Sequence, residues 1–224
     1  MPNLESWLTK TTASLLPDPL ARRFDLRQRR RSLTVAALRC VAHGWPVLPG
    51  AWWSPKSQRY ICDIPGCLTA GLHPSATDNM HRSHPTEVAS YSLNTRRAVL
   101  DKWRRRAYTI LIPTGIGCDV IELPREYIHT ALANVRVDRC GAPTAVYGTS
   151  VYLFTAPNRK AEEMQEQLSD SRIVIHGLNS WVPIPPALTP DAEARWVRSP
   201  SQIGWRLPEG MPLLTEILQA NTPA

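Results

Sequence analysis

Residues 109–126 read TILIPTGIGCDVIELPRE. An apolar run, a glycine-bearing turn and a second apolar run predict strand, turn, strand. The strands are expected over 108–113 (YTILIP) and 118–123 (CDVIEL), and Pro124 is placed to open a helix carrying Ile128, Ala131, Leu132 and Val135 at helical spacing. Asp119 and Glu122 sit in the second strand and are the first residues to suspect of catalysis. They stand at i and i+3. Strand side chains alternate, so these two face opposite sides unless a bulge intervenes.

Upstream lies a helix expected over 95–107, with Val99, Leu100 and Trp103 on one face and arginines on the other. Before it, residues 52–84 are rich in Pro, Gly, Cys and His and show no hydrophobic period. A loop of that length inside a domain calls for a metal or a functional role. WPVLPGA at 45–51 reads as a first strand. LTVAALRCVAH at 33–43 reads as a helix capped by Ser32, stopped by Gly44 and apolar nearly all round, hence buried. Residues 3–16 suit a short amphipathic helix, ended by Pro17 and Pro19.

Downstream, 142–148 and 150–157 resemble a hairpin turning at Gly148–Thr149, and Asn158 suits the cap of a helix carrying Ala161, Met164 and Leu168. RIVIHG at 172–177 and SWVPIPP at 180–186 are expected to form a strand pair, RWV at 195–197 an edge strand, and 212–220 a last helix. The fold class that follows is α/β or α+β: an antiparallel or mixed sheet flanked by helices, with an irregular Cys/His loop.

The formal charge is +7 over 224 residues, and it is concentrated. Residues 1–32 hold seven positive groups against three acids, and residues 96–106 hold six against one. Such patches suit a polyanionic partner, and Arg29, Arg30, Arg31, Arg104, Arg105 and Arg106 are the expected phosphate contacts. Trp52, Trp53 and Trp103 are candidates to stack on bases, although each taken singly reads first as a packing residue. The alternative reading of both patches is solvated helix surface. No apolar run approaches the roughly 20 residues of a membrane span. The N-terminus lacks a secretory pattern, so no membrane association and a cytoplasmic location are expected.

Cys62, Cys67 and His73 offer three ligands at x4 and x5 spacing within the irregular loop. Structural zinc takes four. His81, His84, Cys40 or Asp63 could supply the last, although Cys40 also reads as a small core residue, and Cys118 and Cys140 as buried thiols. His43 and His176 read as structural histidines.

Taken in order, WPVLPGA, the cysteine pair, GLHP at 71–74, a basic helix with Trp103, PTG at 113–115, DVIELP at 119–124, SVYLFTAP and SWVPIPP resemble the N-terminal domain of bifunctional DNA primase/polymerases. These prim-pol domains belong to the archaeo-eukaryotic primase superfamily, and the likeness is to its divergent actinobacterial members. It implies an RRM-like sheet with helices. It also implies a layout of a basic extension over 1–32, the prim-pol-like domain over 33–198 and a tail over 199–224. Template-directed nucleotide transfer with two magnesium or manganese ions would follow, and that chemistry needs converging carboxylates. The family's first motif has acids at i and i+2; here Glu122 is followed by Leu123 and Pro124. The second motif's histidine falls in Ser150-Val151-Tyr152, and the third motif's acid in Ile173-Val174-Ile175, with Asp170 the nearest carboxylate. The expected function is therefore a catalytically degenerate domain that binds nucleic acid or nucleotides. The alternatives are an active primase/polymerase using Asp119 and Glu122, and a regulatory domain that kept the fold for a protein partner.

Overall fold

Both strands of the 109–126 stretch form, but they belong to different sheets. In the computed structural model, which describes residues 19–62, 67, 73–75, 92–124, 127, 141–158, 161–168, 172–189 and 192–220, the PTGIG turn carries the chain from one sheet to the other. The elements run α1 (Pro19–Ala42), β1 (Leu48–Pro49), β2 (Trp52–Ser54), β3 (Arg59–Ile61), α2 (Arg96–Trp103), β4 (Ile110–Pro113) and β5 (Asp119–Pro124). They continue with β6 (Thr144–Tyr147), β7 (Ser150–Thr155), α3 (Ala161–Gln167), β8 (Val174–His176), β9 (Trp181–Pro183), β10 (Arg195–Arg198), a 3₁₀ turn (Pro200–Ile203) and α4 (Gly210–Ala220). A three-stranded sheet has the order β1-β4-β9, a five-stranded sheet β10-β6-β7-β5-β8, and β2-β3 is a separate hairpin. Every described strand pairing is antiparallel, so the class is α+β.

Alternation along β5 builds two cores. Val120 joins Tyr152, Phe154 and Ala145 in a core shared with α1, α2 and the three-stranded sheet. Ile121 and Leu123 point the other way, onto Val151, Leu153 and the α4 residues Leu213, Leu214 and Ile217. The three-stranded sheet and helices α1 and α2 therefore lie on one side of the five-stranded sheet, and α4 on the other.

Several expectations are corrected. The first described helix begins at Pro19, not at residue 33, and Ser32 is an exposed residue inside it rather than a cap. Pro19 fits its first turn, where a missing N–H costs nothing. Over residues 26–42, where the burial of the helix is described, only the stripe Leu33, Ala37 and Cys40 is buried, and Val35 is 42% exposed. Residues 52–61 are an ordered hairpin, not irregular chain. Pro124 is the last residue of β5. Residues 172–177 and 180–186 do not pair with each other: β8 adds to β5 and β9 to β4. The last helix starts at Gly210. The β6–β7 hairpin and the β10 edge strand occur as expected. The helices proposed over 3–16 and beyond Pro124 lie outside the described residues, apart from Tyr127, as do His81, His84, Asp63, Cys140 and Asp170.

Candidate functional site

Glu122 lies on the face of the five-stranded sheet turned toward the first core, half-buried, with both carboxylate oxygens engaged. Oε1 accepts from Ser150 Oγ, which β7 brings alongside, and Oε2 lies 2.8 Å from His176 Nε2 on β8. His176 Nδ1 in turn meets Ser180 Oγ at 2.9 Å. Burial pushes the Glu122 pKa up, but the hydrogen bonds from His176 and Ser150 and the charge on His176 outweigh it and hold the carboxyl below its usual range. Tyr152 closes this site on one side, its ring 6.2 Å from His176, and burial and the nearby Glu122 charge hold its phenol protonated. The order Ser180–His176–Glu122 is that of a nucleophile, base and orienting acid. A hydrolase would also need oxyanion donors. The Ser180 N–H is directed instead at Gly177 O, 3.4 Å away. The chain of bonds thus fixes Glu122 in place. His176 was expected to be structural; the strand register makes it the main partner of the acid, which no spacing in the sequence announces.

Asp119 is only 2% exposed and faces away from Glu122. The β5–β7 register runs without a bulge from Asp119↔Thr155 to Pro124↔Ser150, so the two acids keep opposite parity. Asp119 Oδ2 accepts from the backbone N–H of Asn158 at 2.6 Å, while Oδ1 is buried with no hydrogen-bond partner among the described residues. Burial raises its pKa despite backbone N–H groups of Asn158 and Gly115 that favour the charge. Opposite Glu122 on β8 stands Val174, 41% exposed.

The PTG turn positions the His176 end of this site. Thr114 N–H donates to Ser180 O at 3.0 Å, and Thr114 Oγ1 donates to Gly177 O. Gly115 has φ +81°, and a Cβ there would sit 2.4 Å from Leu178 Cα. Only glycine permits both the left-handed backbone and the close approach of the two turns.

Cys62, Cys67 and His73 converge, their ligand atoms all within 4.8 Å of one another. His73 Nε2 lies 2.8 Å from Cys67 Sγ and 3.7 Å from Cys62 Sγ, and Nδ1 faces Pro74 O at 2.8 Å. With Nδ1 donating to that carbonyl, Nε2 keeps its lone pair for a metal, the orientation common to ligating histidines. This group could hold a metal ion. Cys40 is not its fourth member: it is packed in the first core, and burial pushes its thiol up to about 12. Cys118 is likewise fully buried.

The two basic segments join. Arg30 Nη1 donates to Arg104 O at 3.2 Å, at the C-terminal end of α2, so arginines of α1 and α2 share one surface. Arg31, Arg104 and Arg105 are exposed. Arg29 lies over Tyr60 (5.9 Å) and Arg106 over Trp52 (4.1 Å), which docks the β2–β3 hairpin on this surface. Of the tryptophans expected to stack on bases, Trp103 is fully buried, with Nε1 bonded to Tyr108 O at 2.9 Å, and Trp52 is buried under Arg106. Core packing has claimed both.

An antiparallel sheet with an acid on its inner face and a second sheet packed across it defines the class. Residues 37–213 match the family Prim-Pol, the bifunctional DNA primase/polymerase N-terminal domain, and the chain belongs to this family. No curated protein matches the chain significantly. No helix among the described residues is long and apolar enough to cross a membrane.

Proposed function

We propose that this chain is a prim-pol domain that binds nucleic acid, or nucleotides, through its arginine surface and has lost two-metal nucleotide transfer. The observation that carries the reading is the state of the acid site. Two divalent ions need converging carboxylates with free oxygens. Here Glu122 is bonded at both oxygens, Asp119 faces the opposite side of the sheet, and Val174 stands across from Glu122. The donors among the described residues do not fit the ion pair. The joined basic surface supports retained binding: Arg31, Arg104 and Arg105 would meet phosphates beside Arg30, which ties α1 to α2, and Arg29 and Arg106, which stack on Tyr60 and Trp52. Cys62, Cys67 and His73 are proposed to hold structural zinc, with a fourth ligand from elsewhere in the chain. Beyond these sites, residues 1–32 serve as a basic extension to the domain.

The test is fluorescence anisotropy of labelled DNA and RNA at several salt concentrations. Binding whose log–log salt slope is several units is expected, since each phosphate contact releases counterions. No binding at low salt would overturn the reading. Primer extension with magnesium or manganese is expected to give no incorporation. Incorporation abolished by Glu122→Ala would establish the active alternative instead.

A further inference from the structure

A second basic feature lies apart from the acid site. One face of α1 carries Arg27, Arg31, Val35 and Arg39 at four-residue intervals. This face forms one wall of a cavity of about 1060 Å³ whose opposite wall includes Pro186, Trp196 and Ser199. No Asp or Glu among the described residues lines it, and Glu122, Ser150 and His176 are not part of it. Trp196 is half-buried and backed by Phe154 at 5.3 Å, so the indole is held rigidly. Trp205 on the same side is stacked on His43 at 4.2 Å. A smaller cavity of about 540 Å³ shares Arg27, Arg31 and Val35 and reaches Arg104 on α2. The two cavities therefore meet along α1.

We propose that this groove is a track for a single nucleic-acid strand, with Arg27 and Arg31 on neighbouring phosphates, Arg39 on a phosphate about two steps further along, and bases lying against Trp196 and Val35. The inference rests on the nucleic-acid reading above and adds where the strand runs and in what form. Four helical residues advance about 6 Å, a step comparable with the separation of neighbouring phosphates on a strand. Arginines on one side and a rigid indole on the other are the two components of a strand-binding groove: phosphate charge and base stacking. A duplex keeps its bases stacked internally and offers this groove only its backbone. The volume, at the upper end of small-molecule pockets, leaves room for several linked nucleotides.

The experiment uses the full chain with a labelled oligothymidylate and a duplex of equal length. The wild type is expected to prefer the single strand. Arg27→Gln/Arg31→Gln/Arg39→Gln is expected to weaken single-strand binding at least tenfold and to lower the salt slope by about 2, from three lost contacts. Arg104→Gln/Arg105→Gln is expected to weaken it less. The three groove residues are exposed, and unchanged circular dichroism will confirm folding. Single Arg39→Gln, which lies outside the cavity shared with α2, is expected to give part of the effect. Wild-type binding that the triple variant leaves intact, or that favours the duplex, overturns the groove and spares the general reading. No wild-type binding overturns both.

Discussion

At the scale of single residues, Glu122 is the group whose charge the fold has used. Its carboxyl is held below its ordinary range because hydrogen bonds from His176 and Ser150 outweigh burial. An acid whose pKa is depressed by folding contributes stability that is present above its unfolded value, near 4.3, and is lost as the pH falls through the folded value. Urea midpoints of the wild type are therefore expected to decline as the pH drops below about 4.3. Glu122→Gln is expected to have a lower midpoint at pH 7 and to lack that part of the acid-side decline. Equal pH profiles for the two proteins would mean that the His176 and Ser150 contacts carry no net energy. Asp119 behaves oppositely: burial raises its pKa, so its ionisation works against folding as the pH rises. Parity alone separated these acids in the sequence, because strand alternation is a local rule. The partnership with His176 was not legible. It depends on β8 pairing with β5, a contact between residues 54 positions apart.

At the scale of elements, what could be read was the presence of strands and helices; their partners could not. YTILIP and CDVIEL announce strands through their apolar runs, but the turn between them looks the same whether it closes a hairpin or passes between sheets. The deciding contacts are non-local. Thr114 is tied to Gly177 and Ser180, and Gly115 lets the turn lie against Leu178. Gly115→Ala forces a left-handed residue with a Cβ into backbone 2.4 Å away. Left-handed strain of about 1–2 kcal/mol and overpacking of about 1–3 kcal/mol add here. A fall in Tm of roughly 5–15 °C is expected in a domain of this size. A change under 2 °C, on the order of half a kcal/mol, would show that the two turns do not pack as described. Ser32 tests the corrected start of α1. As a helix cap its replacement by alanine would cost about 1 kcal/mol. Inside a helix and exposed, Ser32→Ala is expected to be neutral or stabilising by a few tenths of a kcal/mol, since alanine is the better helix former. The basic run before it concealed the helix, because repeated arginines carry no apolar period.

At the scale of the whole molecule, the Cys/His group connects the β2–β3 hairpin to the rest of the protein. Cys62 directly follows β3, and just past His73 the Ser75 N–H donates to Pro49 O at 2.6 Å, at the end of β1. A metal held by Cys62, Cys67 and His73 would staple the hairpin to that segment. The hairpin also carries Tyr60 under Arg29 and Trp52 under Arg106, so the staple bears on the arginine surface. The second core and both larger sheets contain none of the three ligands. Metal removal should therefore be felt locally and at the basic surface before it is felt in the sheets. A strong chelator is expected to release one zinc ion per chain, with tryptophan fluorescence changing through Trp52 and Trp53 while far-ultraviolet circular dichroism is largely kept. Nucleic-acid affinity is expected to fall severalfold, and Cys62→Ser to reproduce both effects without chelator. Complete loss of secondary structure on chelation would instead make the metal a condition of folding for the entire domain, as in small zinc-dependent folds. Release of no metal, with fluorescence and binding unchanged, would leave the thiols and imidazole as an unmetallated contact and the hairpin held by its core packing and aromatic–arginine stacking.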